Sequence, residues 1–177
     1  RGYEDLQKMY AMFEMMKPVA LQTMMVTKST SCDDAASYED SLMKIAKSQG
    51  KELLGLESAK DQLDALESIP VDTVIAGIME VVDGKDNGEG EAEYAKLVAA
   101  YRDQDIALMQ KLIVASEGLG GNAKTLVDDR NKKWIPLMGD MMTRNSVFFA
   151  VGAGHLAGKN GVISLLRAGG YTVKAVK

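Results

Sequence analysis

One cysteine and one histidine in 177 residues are the scarcest chemistry this chain carries, and each scarcity excludes something. Cys32 stands alone, so the chain forms no internal disulfide, no CxxC pair and no cysteine zinc site. A single cysteine fits a reducing compartment as well as a secreted protein that needs no staples. Aromatics are 6% of the residues, and no Lys/Arg cluster with interleaved aromatics occurs. The net charge of -4 supplies no positive face, which argues against nucleic acid or an anionic membrane as the main partner. No apolar run approaches the roughly 20 residues that a membrane-spanning helix requires. The start, Arg1-Gly2-Tyr3, has neither an initiator methionine nor the apolar stretch of a signal peptide. The expectation is a chain that is processed, truncated or cut from something longer.

What is present is ordinary for a globular protein: 46% hydrophobic and 26% charged residues, in a length that suits one domain over residues 1–177. Leu6, Met9, Phe13 and Met16 recur at helical spacing and stop before Pro18. A short apolar stretch, Val19 to Val26, precedes a polar loop. Ser37 is placed to cap a helix that ends at Gly50, and Ser58 to cap another that ends before Pro70. Val71 to Val82, Ala92 to Tyr101 and Ile106 to Ala115 read as helices. So does Asn122 to Met142, with Pro136 as a kink or restart. Asp83 to Glu91 is a glycine-punctuated loop. Glu52 to Leu56, Val147 to Val151 and Tyr171 to Val176 read as strands. The expected class is α/β: a helix-rich domain with a small, mostly parallel sheet. Three strands are thin for so many helices, which suggests an incomplete part of a two-halved α/β fold.

The strongest unit runs from Phe148 to Gly158: an apolar strand, a turn rich in glycine, and His155 just past the strand's carboxyl end, where α/β sheets place their ligands. Gly152 and Gly154 carry no side chain to obstruct an approaching substrate or metal. A neutral imidazole is a common metal ligand and a general base near pH 7, although a lone histidine is as readily a structural one. The loose G-x-G-x-x-x-G of Gly152, Gly154 and Gly158 lacks the acidic residue of the dinucleotide fingerprint at its second strand. Gly158-Lys159 is followed by Asn160, so it is no Walker loop, and Lys159 reads as a surface residue. Glu57 ends the strand at Leu56 and could serve as metal ligand or acid/base, or simply sit at a helix N-terminus. Arg130 and Asn131 could bind a substrate carbonyl or carboxylate, or lie on a solvated face beside Lys132 and Lys133. The twelve methionines read as adaptable core.

Three blocks carry a family resemblance. They are Ala150 to Leu156 with Gly158, Gly161-Val162, Leu165 to Arg167 and Gly170 to Val173; Gly50-Lys51 leading to Gly55 to Ser58 with Gln62; and Arg130-Asn131 with Trp134 and Met138. In this order they resemble the C-terminal part of the TraB/GumN superfamily, which includes the Tiki metalloproteases. The resemblance implies two G-x-x-H motifs whose histidines meet at one site, and Gly152 to His155 matches the second. A first motif cannot lie in this chain, which has no other histidine, so the expectation places it upstream. Also implied are a divalent metal ion held by His155 and Glu57, catalytic roles for His155, Glu57, Arg130 and Asn131, and a peptide or protein substrate. An exported or cell-envelope location goes with them. The rival expectation is a non-catalytic envelope or exopolysaccharide-associated binding protein of the GumN type.

Overall fold

The computed structural model describes residues 15–29, 36–83, 89–116 and 122–176. The helix read at Leu6 to Met16 falls almost wholly outside them, as do Cys32 and most of the Asp83 to Glu91 loop. Local sequence signals account for most of the helices. Helix α1 (Pro18–Ser29) absorbs the apolar stretch read at Val19 to Val26. Ser37 caps α2 (Tyr38–Ser48) by accepting a hydrogen bond from the Asp40 N–H, and Gly50 ends the turn beyond it at φ +63. Ser58 and Asp61 form a reciprocal capping box at the start of α3 (Ala59–Glu67), satisfying two of the backbone donors a helix start leaves free. Helices α4 (Val71–Val82), α5 (Glu89–Arg102) and α6 (Ile106–Ala115) follow.

A π-helical turn, Lys124–Asp128, then feeds directly into α7 (Asp129–Arg144). The Asp129 N–H reaches back to the Lys124 carbonyl, one residue further than in an α-helix, and the inserted residue rotates everything after it around the axis. Pro136 neither breaks nor restarts α7. It sits on the exposed face, so the Lys132 carbonyl it leaves unpaired faces water. A 3-10 turn, Ala153–His155, and helix α8 (Val162–Ala168) close the described chain.

The expected sheet is not there. Among the described residues no strand forms, and the class is helical rather than α/β. Residues 51–55, 146–152 and 171–176 carry no regular secondary structure, because a strand needs a neighbour to pair its N–H and C=O groups. Among the described residues none of these segments has a ladder partner. Residues 148–151 even alternate as a strand would: Phe149 and Val151 face the core while Phe148 is 80% exposed. The tail at 171–176 is tied back to α8 instead, the Tyr171 N–H donating to the Leu166 carbonyl at 3.0 Å and Arg167 Nη2 to the Val173 carbonyl at 2.8 Å.

Two small apolar clusters support the helices. Ala65, Ile69, Val74 and Leu126 join α3, α4 and the π turn, with Val19 and Ile78 packed against them. Trp134, Met138 and Val162 join α7 to α8, with Leu56, Phe149, Val151 and Leu166 around them. Methionine plays both parts: Met109 and Met138 are buried, whereas Met15 and Met79 are exposed. No helix among the described residues is long and apolar enough to cross a membrane.

The turn between α5 and α6 holds Gln104 at φ +58, a left-handed backbone that costs a side-chain-bearing residue about 1–2 kcal/mol. Gln104→Gly is expected to raise unfolding stability by about 0.5–1 kcal/mol, the smaller figure reflecting the greater freedom of glycine in the unfolded chain. Urea titrations of the two proteins check this; an unchanged or lower midpoint would contradict the strain.

Candidate functional site

Residues 131, 134 and 138 recur at helical spacing on the buried face of α7. The turn at 152–161 lies against that face, and it is built to come close. A Cβ on Gly161 would lie 2.2 Å from the Ala157 carbonyl oxygen, so only glycine lets the turn fold back into α8. At Gly154 a Cβ would fall 2.7 Å from Ile113 Cδ1 of α6, so its bareness serves packing against that helix. The 3-10 turn is closed by the His155 N–H donating to the Gly152 carbonyl at 2.9 Å.

Asn131 joins the two pieces. It is the one buried polar side chain among the described residues, at 0% exposure. Its Nδ2 donates to the Asn160 carbonyl at 2.8 Å and to the His155 carbonyl at 3.2 Å. Two carbonyl acceptors on one side of the amide fix that side as NH2, so Oδ1 must be the atom facing the imidazole, 2.7 Å from Nδ1. An amide oxygen only accepts. Nδ1 of His155 therefore carries the ring proton, and Nε2 carries the lone pair. Nε2 has no hydrogen-bond partner among the described residues and is not sealed from solvent.

Trp134, one turn along α7, touches both halves of the site. Its ring lies 4.6 Å from the His155 ring, centroid to centroid, tilted by 41°. Its indole N–H donates to Glu57 Oε2 at 3.1 Å. Arg130 grips the same carboxylate with two hydrogen bonds, Nε to Oε2 at 3.0 Å and Nη2 to Oε1 at 2.6 Å, while its Nη1 donates to the Leu126 carbonyl at 2.9 Å. The guanidinium carbon also lies 5.1 Å from the Trp134 ring centre. Glu57, Arg130, Asn131 and His155 thus come together, bridged by Trp134, although no sheet edge brings them there. A cavity of about 530 Å³ opens beside them. Glu57, Arg130 and Trp134 share its wall with Leu56, Ala65 and Leu137, and His155 is not among its lining residues.

The electrostatics follow from this packing. Burial pushes the His155 pKa down from 6.5 to about 4, the Arg130 charge pushes the same way, and Glu57 pulls weakly against both. His155 is therefore neutral at pH 7. Burial raises the Glu57 carboxyl, but hydrogen bonds from Arg130, Gln62 and Trp134, with the Arg130 charge, outweigh it and hold the group below 4.5. Both Glu57 oxygens are engaged, and among the described residues no group of three His, Cys, Asp or Glu is placed to hold a metal ion.

Sequence reading missed three parts of this site. Trp134 enters the sequence argument only as a family mark, and its place between the ion pair and the imidazole has no local signature. Asn160 and Asp128, joined by an Asn160 Nδ2 to Asp128 Oδ2 bond of 2.7 Å, carry no signal along the chain at all. His155 also does more packing than a histidine in a glycine turn is expected to do.

Two outcomes follow for the chelator-treated protein. A histidine with a depressed folded pKa lets the unfolded state bind the extra proton first, so stability present above 6.5 declines as pH falls toward 4. Above about pH 5.5 the contributions of Glu57 and Glu39 are still largely intact, so the slope between pH 6.5 and about 5.5 is expected to be much reduced in His155→Asn, which keeps a donor for Asn131. Equilibrium unfolding at stepped pH measures it; an equal slope in the variant would mean that His155 is not the group responsible. The Glu57 and Arg130 side chains are only 10% and 21% exposed, so Glu57→Ala leaves a half-buried cation behind. Each single alanine variant is expected to lose about 2–3 kcal/mol, and the double variant clearly less than the sum. An additive cycle would show the pair to be uncoupled.

No curated protein and no solved structure matches this chain. The sequence pattern of the TraB/PrgY/gumN family does, across residues 2–175. That span includes Glu57, Arg130, Asn131, Trp134 and His155, and the chain belongs to the TraB/PrgY/gumN family.

Proposed function

We propose that this chain serves a metal-dependent, peptidase-like hydrolase, with His155 as its central residue. The observation that carries the reading is the fixed Nδ1–H tautomer, which leaves the Nε2 lone pair unprotonated at neutral pH and not sealed from solvent. Histidines that bind metals commonly donate their other ring N–H to an oxygen in this way, which orients the ring and raises its basicity. His155 fits a divalent metal as ligand; Glu57, with both oxygens held by Arg130 and Trp134, does not in this arrangement. A metal at Nε2 would supply a bound water of lowered pKa.

The chain's own residues have separate tasks in this reading. Asn131 holds the imidazole. Glu57 holds Arg130 and offsets its charge, so that the guanidinium stays beside the imidazole without dominating it. Arg130 and Trp134 line the cavity together with Leu56 and Leu137, where a peptide segment can be held. The ion pair keeps the guanidinium in place before any substrate arrives, so little reorganisation is needed to stabilise developing negative charge.

A second reading, a non-catalytic binding protein of the cell envelope, is favoured by the engagement of both Glu57 oxygens with Arg130 and Trp134. Metal content separates the two. The intact protein, loaded with zinc or manganese and dialysed, is expected to retain about one metal and to cleave a mixed peptide library. His155→Asn should lose both properties and stay folded. His155→Ala is the poorer probe, because it strips Asn131 Oδ1 of its partner at a cost of about 1–3 kcal/mol. A protein that retains no metal and cleaves nothing, yet binds a peptide or polysaccharide in the cavity, would favour the second reading.

A further inference from the structure

The amide of Asn131 has two orientations, and only one of them leaves Nε2 with the lone pair. Turned by 180°, Oδ1 would face two carbonyl oxygens and Nδ2 would face the imidazole. Nδ1 would then have to accept, and the ring proton would move to Nε2. What opposes the turn is the pair of carbonyls, and they are not equal. The Asn160 carbonyl lies 2.8 Å from Nδ2, whereas the His155 carbonyl lies at 3.2 Å. The closer one belongs to a residue whose own side chain is tied down: Asn160 Nδ2 donates to Asp128 Oδ2 at 2.7 Å.

Asp128 is the last residue of the π turn and stands one helical turn before Asn131. The register change in that turn therefore sets where its carboxylate points relative to the amide it serves. No hydrogen bond or ion pair other than the one to Asn160 involves the Asp128 side chain among the described residues. We propose that Asp128 is a positioning residue which, through Asn160 and Asn131, decides which nitrogen of His155 carries the proton. The inference rests on the hydrolase reading for its functional meaning, because a lone pair at Nε2 is what that chemistry uses. The placement of the proton is a separate physical claim with its own readout.

That readout is unusually clean, since the chain has one histidine and hence one set of ring nitrogens. The experiment is ¹⁵N NMR of the intact, chelator-treated protein at pH 7.5. In the wild type the two ring nitrogens should be widely separated, with the proton on Nδ1. In Asp128→Ala they should move toward one another as the Nε2–H form appears. Asn160→Ala, which keeps the carbonyl but frees it, should do the same. Asp128→Asn, whose amide oxygen can still accept the Asn160 bond, should restore the wild-type pattern. Should Asp128→Ala fail to fold, Asn160→Ala puts the same question from the other end of the bond. Wild-type ring shifts in a folded Asp128→Ala or Asn160→Ala protein would overturn the proposal, as would a proton on Nε2 in the wild type. Metal retention and peptide cleavage, measured on the same samples, judge the hydrolase reading separately. A tautomer change in a protein that never binds metal would leave the positioning claim standing and remove the enzyme.

Discussion

The three hydrogen bonds of Asn131 are the constraint on which the rest of this site depends. An amide at 0% exposure has no water to turn to, so each bond it fails to make costs the desolvation of a polar group. Helix α7 and the turn at 152–161 are held in one relative position by that requirement. A slide of either by an ångström would break the bonds to His155 and Asn160 together. Apolar contacts among Trp134, Met138 and Val162 supply attraction between the same elements, but such contacts tolerate small shifts that hydrogen bonds do not. The polar residue specifies the geometry and the apolar ones stabilise it.

The charges around the imidazole are arranged so that one of them does not dominate. Arg130 alone, close to a half-buried histidine, would repel its proton and leave an uncompensated cation in the protein. Glu57 alone would draw the proton on. Bound to each other through two hydrogen bonds, they act on the His155 proton in opposite directions, Arg130 the more strongly, and burial is the largest influence on the ring's pKa. Trp134 completes the separation by placing an aromatic ring against the imidazole and turning its only donor toward the carboxylate.

The sequence was most legible where structure is local. Ser37 and Ser58 cap the helices their spacing announces, and the bounds of α4 and α6 coincide with those read from periodicity, because capping and helical periodicity are complete within a few residues. Strands were not legible, for the opposite reason. The residues around Phe148 have the composition and the alternating faces of a strand, yet a strand is defined by its neighbour, and no described segment is that neighbour. A restart at Pro136 did not follow, because whether a proline breaks a helix depends on what its orphaned carbonyl faces. The grouping of Glu57, Arg130, Asn131 and His155 came from family resemblance rather than periodicity, because their contacts span 24 to 73 residues of chain.

Burial and reactivity pull in opposite directions at His155, and the arrangement of its ring divides them between two atoms. Nδ1 is turned inward, where a fully buried acceptor binds it. Nε2 has no partner among the described residues and is not sealed from solvent. A histidine buried at both nitrogens would be held more firmly and could do no chemistry. One exposed at both would exchange tautomers freely and offer the lone pair at Nε2 only part of the time. The arrangement draws on the π turn and on the bare glycines at 154 and 161, which weaken regular structure but let the turn pack closely against its neighbours. Their concentration around one imidazole, in a chain whose described core is otherwise thin, is the physical reason to look for function there rather than along the longer and more regular helices.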